Sequence, residues 1–171
     1  MKPTLAAVTL FAGLLLLPGI AAAVPCPGGG PDVRVVSRPG LPDAVRPVWR
    51  ADGPVVLVDP AAGGYRPELF ARQVHQFLLM HGLAHVCRGH VTAAMAARFE
   101  RDADYTGWRG PRAELEADCW AARQLAARRS AHVARAAAVM FDGGDGAFAG
   151  RADNAPSARR AARIRRCAGL E

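Results

Sequence analysis

Four cysteines constrain the fold of this 171-residue chain more than any other feature, because each cross-link fixes which segments must touch. An even number predicts two disulfides, and four cysteines allow three pairings. The sequence does not select among them, although one attractive arrangement joins the first cysteine to the last and the second to the third. The disulfide candidates are Cys26, Cys87, Cys119 and Cys167.

The N-terminal segment predicts export, which agrees with paired cysteines. Lys2 is followed by an apolar run over residues 5–17 and by Ala21-Ala22-Ala23, which matches a signal-peptidase site. The apolar run is too short to span a membrane comfortably. We therefore expect a signal peptide over residues 1–23, a secreted or periplasmic protein, and no transmembrane helix in the mature chain.

The remaining chain predicts a small, mainly α domain of the α+β class. Residues 24–53 are rich in proline and glycine and predict an irregular segment, whereas residues 54–171 predict one domain. Two β-branched runs predict one or two strands near the N-terminal side, at residues 33–36 and 54–60. Helix-start residues and breakers predict helices over residues 67–86, 92–101, 112–129, 130–141 and 156–167.

Composition excludes several classes of enzyme. Lys2 is the only lysine, so the mature chain has no Walker-type phosphate loop, pyridoxal Schiff base or kinase-like lysine. None of the three serines lies in a G-x-S-x-G turn, which argues against a serine hydrolase. A thiolate nucleophile at Cys87, beside His85 or His90, is an alternative to a disulfide. We expect His90 instead to end a helix, where its positive charge suits the helix dipole.

Positive charge is concentrated at the C-terminal end. Residues 121–171 carry ten arginines and four acids, whereas the preceding part of the mature chain is close to neutral. The simplest interpretation is a solvated basic helix. The alternative is an anion-binding patch, including Arg159, Arg163 and Arg166, for lipid headgroups or a cell-wall polymer. Few aromatic residues accompany these arginines, so nucleic-acid binding is not expected.

Two histidines four residues apart carry the strongest functional pattern. On a helix, His81 and His85 project from one face and can bind one Zn²⁺ as neutral imidazoles. Glu114 is a candidate third ligand on a later helix. Asp118 lies one turn further on the same face and can accept the remaining ring N–H of a ligating histidine. Glu116 points elsewhere, because it lies about 200° around the helix from Glu114.

These motifs resemble the gluzincin branch of the zincin metallopeptidases, in particular the HtpX-type peptidases, which have a His-Glu-x-x-His helix followed by a Glu-x-x-x-Asp helix. The resemblance covers residues 54–130 and implies a zincin-like helical domain. It implies that His81, His85 and Glu114 bind zinc and that Asp118 supports a ligating histidine. An active member of this family would cleave a peptide or protein substrate.

Two departures from the family pattern concern catalysis. Gly82 occupies the position of the glutamate that acts as general base in the family, so no catalytic residue is assigned. A general base typically contributes roughly 10² to 10⁴ in rate. Near the C-terminus, Ala155 replaces the histidine of a His-Pro stretch that continues to Arg163. Both departures favour a loss or a change of the peptidase activity.

Three hypotheses follow. The first is an exported metallopeptidase-like protein that is catalytically impaired by Gly82 and retains zinc. The second is an active zinc peptidase that uses another carboxylate, Glu116 or Asp118, as its base. The third is a metal-free helical module, held by disulfides, that binds an anionic partner through its arginine-rich end.

Overall fold

A four-stranded sheet and a layer of helices make up the described part of the chain. The computed structural model describes residues 22–27, 29–41, 43–61, 68–98, 110–143 and 156–171. The strands are β1 (Ala22–Pro25), β2 (Asp32–Ser37), β3 (Val45–Arg50) and β4 (Gly53–Val58). The helices are α1 (Glu68–Cys87), α2 (Ala93–Arg98), α3 (Pro111–Ala127), α4 (Ala131–Asp142) and α5 (Ser157–Ala168).

The sheet has the strand order β1-β2-β4-β3, which places β4 in its interior. β4 pairs in parallel with β2 and antiparallel with β3, and β1 pairs antiparallel with β2. Residues 55–58 of β4 are valine and leucine and are buried, as expected for an interior strand. Val56 and Val58 pack in the main core with the helices, whereas Val55 and Leu57 belong to a smaller cluster.

The second half of α1 runs through the core of the protein. Every residue from 80 to 86 is buried, so no face of this segment reaches solvent. α1 contacts β3 and β4 of the sheet as well as α3 and α4. His81 and His85 are 7% and 0% exposed and therefore lie inside the core.

A glycine inside α1 allows this helix to approach the sheet closely. A Cβ atom at Gly82 would lie 2.6 Å from Val45 Cγ1 and 3.2 Å from Val56 Cγ1, closer than carbon atoms normally pack. Val45 belongs to the edge strand β3, and Val56 belongs to β4. A larger side chain at position 82 would displace either α1 or the strand. Gly82 therefore has a packing role, although glycine is a poor helix former.

Three further helices, α3, α4 and α5, complete the core. α3 contacts α1, and α5 packs against both α3 and α4. The buried residues of α3 recur at helical spacing, and they are Glu114, Ala117, Asp118, Cys119, Ala121, Ala122 and Leu125. Those of α5 are Arg160, Ala161, Ile164 and Ala168. Two carboxylates and one guanidinium are thus placed in the helical core.

The predicted fold class, mainly α with an N-terminal-side sheet, is confirmed. The sheet is larger than the one or two strands predicted, because β1 and β3 join it from segments that lack a clear alternating pattern. β1 begins at Ala22 and so overlaps the last two residues of the predicted signal peptide, while residues 1–21 lie outside the described residues.

The predicted helix over residues 92–101 is described only as far as Arg98. Among the helices within the described ranges, none combines the length and apolar character needed to cross a bilayer.

The four cysteines form two disulfides, as predicted, but the suggested arrangement is wrong. Cys26 is bonded to Cys87, and Cys119 is bonded to Cys167, with Cα–Cα distances of 5.4 and 5.2 Å. This pairing follows from the packing of the helices. α3 packs against α5, which places Cys119 beside Cys167. Cys26 follows β1 and lies in the core beside Cys87, at the end of α1. The alternative thiolate at Cys87 is excluded by its disulfide. Two disulfides indicate an oxidising compartment.

We expect Gly82→Ala to destabilise the protein, although alanine is the better helix former. The added methyl group would overlap Val45, and overpacking of this kind costs roughly 1–3 kcal/mol. The higher helix propensity of alanine stabilises the folded state by only about 1 kcal/mol. Chemical denaturation followed by circular dichroism measures the change in the free energy of unfolding.

Val45→Ala provides the matched background for this measurement. When the valine side chain is shortened, Gly82→Ala should become neutral or stabilising, because the main overlap is removed. An equal loss of stability in the two backgrounds would contradict the close approach of α1 to β3.

Candidate metal centre

Three potential metal ligands meet between α1 and α3. His81 and His85 lie one turn apart on the buried half of α1. Glu114 lies in the first turn of α3, a helix that begins at Pro111, where a missing backbone N–H has no cost. All three side chains are buried, and their ligand atoms lie within 4.8 Å of one another. We call these three side chains the donor triad.

The donor atoms form a triangle whose size suits a zinc ion. His81 Nε2 lies 3.0 Å from His85 Nε2 and 3.2 Å from Glu114 Oε2. His85 Nε2 lies 3.3 Å from Glu114 Oε1. Two ligand atoms about 2.0 Å from a tetrahedral ion lie about 3.3 Å apart, so the observed separations match this geometry. Glu114 Oε1 is buried and accepts no hydrogen bond from the described residues, which leaves its lone pairs available to a cation.

Asp118 contacts the ring nitrogen of His81 that faces away from the triangle. Asp118 Oδ1 lies 2.9 Å from His81 Nδ1, close enough to pair with a ring N–H. His81 Nδ1 makes no hydrogen bond among the described residues, so its contact with Asp118 is electrostatic. A proton on Nδ1 leaves the lone pair of Nε2 directed at the triangle. This is the orienting contact that a histidine ligand normally has.

Arg160 from α5 contacts both buried carboxylates and brings one positive charge to them. Its Nε and Nη2 atoms each donate a hydrogen bond of 2.8 Å to the two oxygens of Asp118. Its Nη2 atom also lies 3.3 Å from Glu114 Oε2. The guanidinium carbon lies 4.2 Å from the centre of the Phe141 ring, over its face. Arg160 is 4% exposed, so these contacts are shielded from water.

The charges of the centre shift one another's titration. Burial raises the pKa of Asp118, but Arg160 and His81 together lower it more, and the pKa lies below its ordinary value. Burial also raises the pKa of Glu114, and its contacts with His81 and His85 outweigh that effect and lower it. Burial lowers the pKa of His81, but Asp118 and Glu114 raise it above its ordinary value. With neutral histidines, two carboxylates oppose one guanidinium, and the centre favours an added cation.

His90 contacts the second ring nitrogen of His85. Gly89 has φ of +72°, a left-handed conformation that suits glycine, and it turns the chain back after α1. His90 Nδ1 lies 3.2 Å from His85 Nδ1, and His90 Nε2 lies 3.5 Å from Glu116 Oε2. Burial lowers the pKa of His90 more than Glu116 raises it. His90 lies just beyond the end of α1, as predicted, whereas its lowered pKa disfavours the positive charge expected there.

Neither of the carboxylates suggested as a substitute general base is available. Asp118 is held by Arg160 and His81. Glu116 accepts hydrogen bonds of 2.9 and 2.7 Å from Arg88 and, as predicted, lies apart from the donor triad. At the family's own base position, Gly82 faces the valines of the sheet. Nothing in these contacts supports the second hypothesis.

The structure brings together the residues that the resemblance implies as ligands, namely His81, His85 and Glu114, and places Asp118 beside them. That they hold a metal ion stays a prediction. Arg160 and His90 are not among the predicted site residues. Arg160, Ile164 and Ala168 are spaced four residues apart on α5, and this spacing is typical of residues that face a core. Ala155, the second departure from the family, lies outside the described residues.

Comparisons with known proteins add no identification. A scan of protein-family models, a search of curated proteins and a search of solved structures each found no match to this chain. The resemblance to zincins therefore rests on the two helical motifs alone and stays a prediction.

We expect Arg160→Met to destabilise the protein by roughly 3–5 kcal/mol, because it leaves two buried carboxylates without their cation. Arg160→Lys should cost less, since it keeps the charge but loses the bidentate contact. Urea denaturation of the disulfide-bonded protein measures both changes.

Arg159→Met is the matched control, because Arg159 is the exposed neighbour of Arg160 on α5. It should change the free energy of unfolding by no more than about 0.5 kcal/mol. Similar stability of the two methionine variants would show that the Arg160 contacts do not stabilise the core.

Proposed function

We propose that this chain is an exported, zincin-like protein that binds zinc and does not hydrolyse peptides. The observation that carries the proposal is the donor triad, whose ligand atoms are separated by 3.0, 3.2 and 3.3 Å. Two imidazole nitrogens and one carboxylate favour zinc over calcium or magnesium, which prefer oxygen ligands. Export is supported by the predicted signal peptide over residues 1–23 and by the two disulfides.

The zinc site would join α1 to α3 inside the core. A bound ion would supply two positive charges beside the carboxylate of Glu114, and three protein ligands would leave one tetrahedral position for another ligand. Asp118 would fix the orientation of the His81 ring, and Arg160 would hold Asp118 in place. An ion bound only by the folded chain stabilises it, so zinc should raise the melting temperature.

Two features support the absence of hydrolysis. Catalytic zinc sites normally act with a general base, and Gly82 has no carboxylate to offer. The space beside Gly82 is filled by Val45 and Val56, so the position cannot accept a glutamate without movement of α1 or β3. On this basis Gly82→Glu should not create peptidase activity.

Zinc stoichiometry tests the proposal directly. Metal-free mature protein is titrated with zinc in competition with a chromophoric chelator, and we expect about one zinc per chain. Glu114→Gln removes the anionic ligand while keeping its shape, and it should weaken zinc binding at least tenfold. His81→Ala removes a second ligand and should abolish binding at the same concentration.

His132→Ala is the control, because His132 is exposed on α4 and is not part of the donor triad. It should bind zinc like the original protein. Wild-type protein that binds no zinc, or that loses binding equally in the control, would contradict the metal site. Chelator-sensitive cleavage of casein would contradict the absence of hydrolysis and leave zinc binding intact.

A further inference from the structure

A groove between α3 and α5 is lined by arginines from both helices and from the residue that follows α1. Its volume is about 1100 Å³. The only carboxylate on its described lining is Glu116, which pairs with Arg88. The arginines of this groove are Arg88, Arg112, Arg123, Arg159, Arg163 and Arg166. The arginines of the basic C-terminal end thus lie on the same groove as arginines of α3 and the arginine that follows α1.

Most of these arginines lack a compensating charge. Within the described ranges, four of them form no ion pair, and all four are exposed: Arg112, Arg123, Arg159 and Arg163. On α5, Arg159, Arg163 and Arg166 follow the spacing i, i+4 and i+7, which places them on one face. Like charges at this spacing repel one another, and an anionic ligand would relieve that repulsion.

The lining of the groove also includes apolar side chains, which we call its floor. Leu115 and Trp120 of α3 and Ala162 of α5 line it and remain partly exposed. A partly exposed apolar floor between charged walls has the anatomy of a protein–protein interface, in which apolar contacts lie at the centre and polar contacts at the rim. Arginine and tryptophan are also the residues that most often dominate the energy of such interfaces.

We propose that this groove binds an extended acidic segment of a partner protein. Its carboxylates would contact the arginine walls bidentately, and its apolar side chains would cover Leu115 and Trp120. A polymer that carries only phosphate or carboxylate groups would leave the apolar floor exposed to water. A flat membrane surface would not enter a groove between two helices. The proposal does not depend on zinc binding, because none of the donor triad lines the groove.

Fluorescence anisotropy with three labelled probes tests the class of partner. The probes are a random copolymer of glutamate and tyrosine, poly-glutamate, and inorganic polyphosphate, matched in total charge. The mature protein is used with its disulfides intact and at physiological ionic strength. We expect the copolymer to bind most tightly, with an affinity that falls as salt is raised. Polyphosphate binding as tightly as the copolymer would overturn the proposal in favour of a non-peptide polyanion.

Paired charge reversals test the location. Arg159→Glu with Arg163→Glu should weaken copolymer binding by about tenfold or more. The control pair, Arg50→Glu with Arg135→Glu, makes the same charge change at exposed positions outside the groove, and it should weaken binding less than about twofold. Equal losses in the two pairs, or no copolymer binding to the original protein, would overturn the proposal.

Leu115→Ala tests the apolar floor separately from the charges. It should weaken binding of the glutamate–tyrosine copolymer several-fold and leave poly-glutamate binding unchanged. Circular dichroism confirms that each variant is folded. An unchanged affinity for the copolymer would show that the floor makes no contact, and the proposed mode of binding would then be wrong.

Discussion

Two carboxylates are buried inside the helical core, and the residues around them must supply compensating positive charge. Moving a charged group out of water costs several kcal/mol unless another charge compensates it, and Glu114 and Asp118 are 2% and 0% exposed. Arg160 supplies one compensating charge, through two hydrogen bonds to Asp118 and a contact of 3.3 Å with Glu114. One negative charge remains beside the histidine pair. A proton or a bound cation at His81 and His85 would balance this negative charge. The balance of charge thus links α1, α3 and α5 at one point.

α3 contributes to both candidate sites through different faces. Its buried face presents Glu114 and Asp118 to α1, whereas Leu115 and Trp120 line the arginine groove. The Cys119–Cys167 disulfide fixes α3 to α5, and Cys119, the residue after Asp118, itself lines the groove. The helix pair that positions Arg160 in the core therefore also forms the walls of the groove. On the two proposals together, a metal ion at the donor triad would stabilise the scaffold and the groove would bind the partner.

The local part of the site could be predicted from sequence, and the tertiary part could not. Helical periodicity alone places His81 beside His85, and Glu114 beside Asp118, because residues four apart share a face. Which arginine of the basic C-terminal end is buried depends on how α5 packs, and only the spacing of Arg160 to Ile164 indicated it. The disulfide pairing depends on the same packing. The sequence alone indicates only that Gly82 lacks the carboxylate of a base, and its close contact with Val45 becomes evident only once the sheet is in place.

X-ray absorption at the zinc edge of the zinc-loaded protein identifies the atoms bound to the ion and so shows whether the donor triad holds it. We expect nitrogen and oxygen ligands at about 2.0–2.1 Å, with the outer-shell scattering of two imidazoles. We expect no sulfur ligand, since all four cysteines are in disulfides. A sulfur shell at about 2.3 Å, or a shell of oxygen atoms without imidazole scattering, would contradict zinc binding by His81, His85 and Glu114.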